Sequence, residues 1–159
     1  LSGKDRRIQA MYKDSCIFVT NEQSSTEDIL DDLIHEVAHS VEEVYGNFIY
    51  EDKQVEKEFL NKRKDLWLKL KNRGFICDLN LFLNTKYTTE FDMFLYKKVG
   101  YDIMRATTAD LFHSPYAATS LREYFANGFE AFFLKEELSR LKFSSPKLFM
   151  KISKLSLMR

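Results

Sequence analysis

The chain has 159 residues, with Lys+Arg and Asp+Glu at 24 each. That length suits one ordinary domain with a real core, and the zero net charge removes the usual grounds for expecting nucleic acid or an anionic membrane as partner. Five glycines and two prolines favour long helices over a turn-rich β fold, and two cysteines, Cys16 and Cys77, are too few for a disulfide framework or a cysteine-built zinc site. No run of about 18 apolar residues occurs, so no membrane span is expected. The chain starts at Leu1 rather than Met and carries no secretory signal, which reads as a mature, trimmed or excised piece of a larger polypeptide. A secreted or virion-associated setting fits such a piece, and the residues name no compartment.

Residues 1–13 are charged and mixed. Ser15-Cys16-Ile17-Phe18-Val19-Thr20 is β-branched and aromatic and predicts a strand. Residues 21–25 are a polar loop in which Ser24 or Ser25 can cap a helix. From Thr26 to Tyr45, Ile29, Leu30, Leu33, Ile34, Val37, Val41 and Val44 recur at helical spacing, with Gly46 as the stop. Residues 51–73 form a charged second helix ended by Gly74, with the pattern of a lid, a partner surface or a solvated scaffold. Leu79 to Leu83 is a short apolar piece open to either reading. Phe91 to Lys98 predicts a helix interrupted near Gly100, and Ser120 to Leu138 predicts a strong one. Ser145 as N-cap with Pro146 in the first helical position opens the last. The expected architecture is a single α+β domain over 1–159, mostly helical with a small sheet.

The chemistry concentrates in His35-Glu36-Val37-Ala38-His39. Two histidines four apart on a helix project from one side, about one turn apart, and can share one Zn²⁺ through two imidazole nitrogens. Glu36, one residue on, points aside, where it can take a proton from metal-bound water. A catalytic zinc needs a third protein ligand. A third histidine farther along the same helix is ruled out, because Glu42 and Tyr45 stand where the extended motif has Gly and His. The best candidate is Glu123, on a helix where Glu123, Asn127 and Glu130 gather on one side and Phe125, Phe129, Phe132 and Phe133 on the other. Ser120-x-x-Glu123 is also a capping box, which would give Glu123 a purely structural use. Asn127 and Glu130 are open to two readings, a solvated face or support for the ligands.

His-Glu-Val-Ala-His followed by Glu123-Tyr124-Phe125-Ala126-x-x-Phe129 resembles the zincins of the anthrax lethal factor type, a group that also includes small clostridial secreted endopeptidases. The resemblance covers residues 15–46 and about 114–155, and Ser145-Pro146-Lys147-Leu148-Phe149 matches its closing helix start. It implies a zincin-like fold with an active-site helix, Glu123 as metal ligand, and Tyr116, seven residues earlier, assisting the oxyanion. A phenol beside a metal can also do this on general grounds. The family often has an acidic residue where this chain has Asn127, and residues 51–110 stand as a helical insertion. The strand over 15–20 would be the edge along which an extended protein or peptide substrate lies, unless it is an interior strand. His113 reads as a surface or loop residue. The reading is a zinc metalloendopeptidase. Its rivals are a zincin-fold structural or binding module of a larger toxin or phage-encoded protein, and a helical interaction domain with a chance motif.

Overall fold

The computed structural model describes residues 9–20, 25–135 and 137–158. Two strands come first, β1 (Ala10–Lys13) and β2 (Cys16–Val19), paired antiparallel with Lys13 opposite Cys16 and Tyr12 opposite Ile17. The two residues between them, Asp14 and Ser15, both have positive φ, 52° and 61°, the twist that a two-residue hairpin requires. Ser15 therefore belongs to the turn, and the strand expected over 15–20 is shorter at both ends. Its partner β1 lies where the composition gave no strand signal. The sheet has only these two strands among the described residues, so each is an edge.

Helix α1 spans Thr26–Tyr50, with the Ser25 hydroxyl accepting from the Asp28 amide as N-cap. Ser24 lies outside the described residues. The expected stop at Gly46 does not occur. The backbone kinks at Tyr45 (φ −108°, ψ 15°) and continues one more turn. Tertiary burial explains this. Ile49 is fully buried, and the Tyr50 hydroxyl reaches back to Glu42 at 2.5 Å. Burying one such aliphatic side chain yields about 1.5–3 kcal/mol, more than the ~1 kcal/mol that a helical glycine costs.

Helix α2 (Gln54–Asn72) ends as expected at Gly74, whose φ of 92° lets the Phe75 amide fold back onto the Leu70 carbonyl at 3.0 Å. It is not a solvated arm, because Val55, Phe59, Leu66 and Leu70 are fully buried. Short helices follow: α3 (Leu79–Leu83), capped by Asp78, and α4 (Thr89–Met93), which runs into a π-helical stretch over Phe94–Val99. Gly100, at φ 90°, breaks the chain direction before α5 (Tyr101–Thr108). Phe82, Phe91, Leu95, Val99 and Met104 from this region join the same buried cluster as Ala38, Phe125 and Ile152. Residues 51–110 are therefore part of the core.

A 3₁₀ turn at Pro115–Ala118 leads into α6 (Leu121–Phe133). The helix expected to reach Leu138 stops sooner. Lys135 and Glu137 take positive φ, and α7 (Leu138–Ser144) starts separately. Helix α8 (Pro146–Ser156) has proline at its first position, but Ser145 supplies no side-chain cap. Glu58 of α2 caps it instead, accepting from the Lys147 and Leu148 amides at 2.8 and 3.1 Å and from the Tyr124 hydroxyl of α6 at 2.9 Å. The Ser145 hydroxyl accepts from the buried Lys62 ammonium. At Gly128 α6 packs tightly on α8: a Cβ there would lie 2.4 Å from Leu148 Cδ2. Cys16 and Cys77 are free, and no described helix is long and apolar enough to cross a membrane.

Candidate metal centre

Helices α1 and α6 pack face to face, and their polar strips meet. The 3.6-residue period brings His35 and His39 to one side of α1, with ring centroids 4.9 Å apart and planes nearly perpendicular. Glu123, in the first turn of α6, reaches both. Its Oε2 lies 2.9 Å from His35 Nε2 and its Oε1 3.4 Å from His39 Nε2. One ligand atom from each of the three residues lies within 4.8 Å of the others. That is the scale of a tetrahedral zinc site, whose edges run to ~3.5 Å when metal–ligand distances are about 2.1 Å. Two imidazoles and one carboxylate are also the donor set that zinc accepts.

The two uses of Glu123 turn out to be separable. The Ser120 hydroxyl accepts from the Glu123 amide at 3.1 Å, so half of the capping box forms. The carboxylate does not return to the Ser120 amide and turns to the histidines instead. Burial alone would raise its pKa, but the bonds and charges of His35 and His39 outweigh burial and bring it down to about 2. For His35, burial would lower the pKa. The hydrogen bonds and charges of Glu123 and Glu130 outweigh it and hold the ring up at about 10. A cation that binds Nε2 would have to displace the proton that this environment favours there.

The surroundings fit ligation. Glu130 Oε2 lies 3.2 Å from His35 Nδ1, so this carboxylate fixes the ring and leaves Nε2 facing Glu123, where it could ligate a metal. Arg122 Nε donates to His39 Nδ1 at 3.0 Å, which puts that ring's proton on Nε2. Ligation through Nε2 shifts the proton to Nδ1 and displaces Arg122. Glu42 Oε2, 3.5 Å from Arg122 Nε and 4.0 Å from His39 Nδ1, stands beside both as acceptor. Neither Glu42 nor Arg122 was legible as a site residue in the sequence. The spacing of Glu42 three residues after His39 is the one signal that could have found it.

Of the other expected residues, Glu36 stays out of the ligand group and faces the hairpin. Its Oε2 accepts from the Tyr12 amide at 2.6 Å. Tyr116 lies in the 3₁₀ turn, its ring 6.5 Å from that of His35. Asn127 is buried rather than on a solvated face. It accepts from the Ser114 hydroxyl at 2.6 Å and donates to the Glu123 carbonyl at 3.1 Å, which ties the 3₁₀ turn to α6. His113 is half-buried and outside the ligand group. No protein-family model, curated protein or solved structure matches the chain. Beside the three ligands a pocket of about 600 Å³ opens, with Tyr116, Arg122 and the 85–87 segment in its walls.

Proposed function

We propose that the chain is a zinc-dependent metalloendopeptidase of zincin-like architecture, with Zn²⁺ held by His35, His39 and Glu123. The supporting observation is the meeting of these three donors between α1 and α6, with Glu130 behind His35 Nδ1. Bound there, zinc would polarise a scissile carbonyl and lower the pKa of a water toward about 7. Glu36 serves as general base. The Tyr12 amide anchors one of its oxygens, while the other has no hydrogen bond among the described residues and is left to accept a proton from water and return it to the leaving amine. The Tyr116 hydroxyl donates to the oxyanion that develops on the carbonyl. Glu130 holds the His35 ring with Nε2 free to ligate, and Glu42, 4.0 Å from His39 Nδ1, is placed to accept from that nitrogen once Arg122 leaves it. The substrate is a protein or peptide, laid in extended form along an edge of the hairpin.

A second reading, a zincin-fold binding or structural module within a larger protein, draws on the same Tyr12–Glu36 bond, which also describes a base tied down. One experiment separates the two. The chain is purified without added metal, and bound zinc is measured for wild type and Glu123→Ala; cleavage of a peptide library is then scored against Glu36→Ala. One zinc per chain, lost in Glu123→Ala, together with cleavage abolished in Glu36→Ala, is expected. Zinc without cleavage favours the binding module. No zinc in the wild type after reconstitution refutes both.

A further inference from the structure

The pocket beside the ligands has walls of unlike origin. His39, Glu123 and Arg122 come from α1 and α6, whereas Thr85, Lys86 and Tyr87 come from the segment between α3 and α4. That segment is fixed from two sides. The Leu121 amide, at the start of α6, donates to the Thr85 carbonyl at 2.9 Å. The fully buried Arg63 of α2 donates to the Asn84 carbonyl at 2.7 Å, its guanidinium stacked 3.9 Å from the Phe91 ring centroid. A buried arginine with no carboxylate partner among the described residues is costly, and burial lowers its pKa to about 9. Here it holds the pocket wall in place.

The charges lining this pocket are two carboxylates and two cations besides His39. The carboxylates are committed: Glu123 to the two histidines, and Glu42 to the Tyr50 hydroxyl and Arg122. Lys86 is exposed and makes no ion pair among the described residues. Arg122 uses its Nε inward, and its side chain is still 54 % exposed, with no hydrogen bond from its terminal nitrogens among the described residues. Arg122 is answered by Glu42, so the charge left uncompensated in the pocket is the positive one of Lys86.

We propose that this pocket is a substrate subsite that takes a carboxylate, held between Lys86 and Arg122. The inference rests on the peptidase reading above and gives it a substrate class: peptides with an acidic side chain near the scissile bond, or with a free C-terminus there. The segment that carries Lys86 is thereby a specificity element, tied to α2 through Arg63 and to α6 through the Leu121 amide.

The test is binding of alanine-based octapeptides to the zinc-loaded Glu36→Gln protein by fluorescence anisotropy. Each peptide carries one Glu, Lys or Ala at successive positions and is made both as free acid and as C-terminal amide. At one position the Glu peptide should bind about tenfold tighter than its Lys counterpart, the scale of one partly solvated charge pair. Lys86→Glu should remove or reverse that preference while zinc content and unfolding temperature stay at their original values. A preference that survives amidation assigns the carboxylate to a side chain, and one that disappears with it assigns it to the chain end. Equal binding of Glu and Lys peptides at every position, or a profile unchanged by Lys86→Glu, overturns the subsite. Absence of zinc sinks the peptidase reading separately, and the same peptides on the metal-free chain still test the pocket.

Discussion

Replacing Glu58 by alanine tests the packing account most directly. Its carboxylate receives two amides at the start of α8 and the Tyr124 hydroxyl of α6, so one side chain joins three helices. Losing an N-cap costs about 1–2 kcal/mol. Tyr124 is 2 % exposed, and a buried hydroxyl deprived of an acceptor adds about 1–3 kcal/mol. Glu58 is only half-buried, so water replaces part of this, and about 3 kcal/mol is expected in total. For a chain of 159 residues that corresponds to a fall in unfolding temperature of about 6–12 °C. Glu58→Gln keeps one carbonyl oxygen and should lose roughly half as much. Urea and thermal unfolding followed by circular dichroism give both values, with an unchanged urea slope confirming that the unfolded states are comparable. If Glu58→Ala loses less than ~1 kcal/mol, the idea that α8 is capped from α2 is wrong.

Two more substitutions probe separate parts of the structure. Glu130→Gln keeps the size of the side chain and removes the charge facing His35 Nδ1; zinc affinity should fall about 10- to 100-fold with the fold intact, and competition with a calibrated chelator measures it. Gly128→Ala drives a methyl into Leu148, itself 1 % exposed. Overpacking of about 1–3 kcal/mol should exceed the ~1 kcal/mol gained in helix propensity, so the unfolding temperature should drop, and a rise would mean that α8 slides freely on α6.

What the sequence made legible was periodic. The histidine pair and the polar strip of Glu123 and Glu130 stand out because a helix converts spacing into a face. Ser25, Asp78 and Gly74 act as their residue types suggest. The misreadings have local causes. Gly46 is a weak stop once Ile49 has a core to enter. Ala10-Met11-Tyr12-Lys13 is too short to announce a strand, and its turn uses Asp14-Ser15 rather than a pair containing glycine. Helix α6 ends at Phe133, short of Lys135 and Glu137, which carry no stop signal yet both adopt positive φ. Glu58, Arg63 and Arg122 were out of reach, because each acts on a partner far along the chain. The charge pattern of α2 showed polar residues without showing that Lys62 and Arg63 are buried.

The three candidate ligands divide between α1 and α6, and His35 and Glu123 stand 88 residues apart. Helix α1 on its own offers two histidines. The third donor joins them only where α6 is packed against α1, a contact of long sequence separation. A cation bound by all three donors therefore discriminates between the native chain and any partly folded one. Such a cation acts as a clasp on tertiary structure, adding about 4 kcal/mol when present at a thousand times its dissociation constant. Stripping it should leave the circular dichroism of the cold protein unchanged and bring the melting transition down, with the helices still formed and the join between the first and the sixth released early.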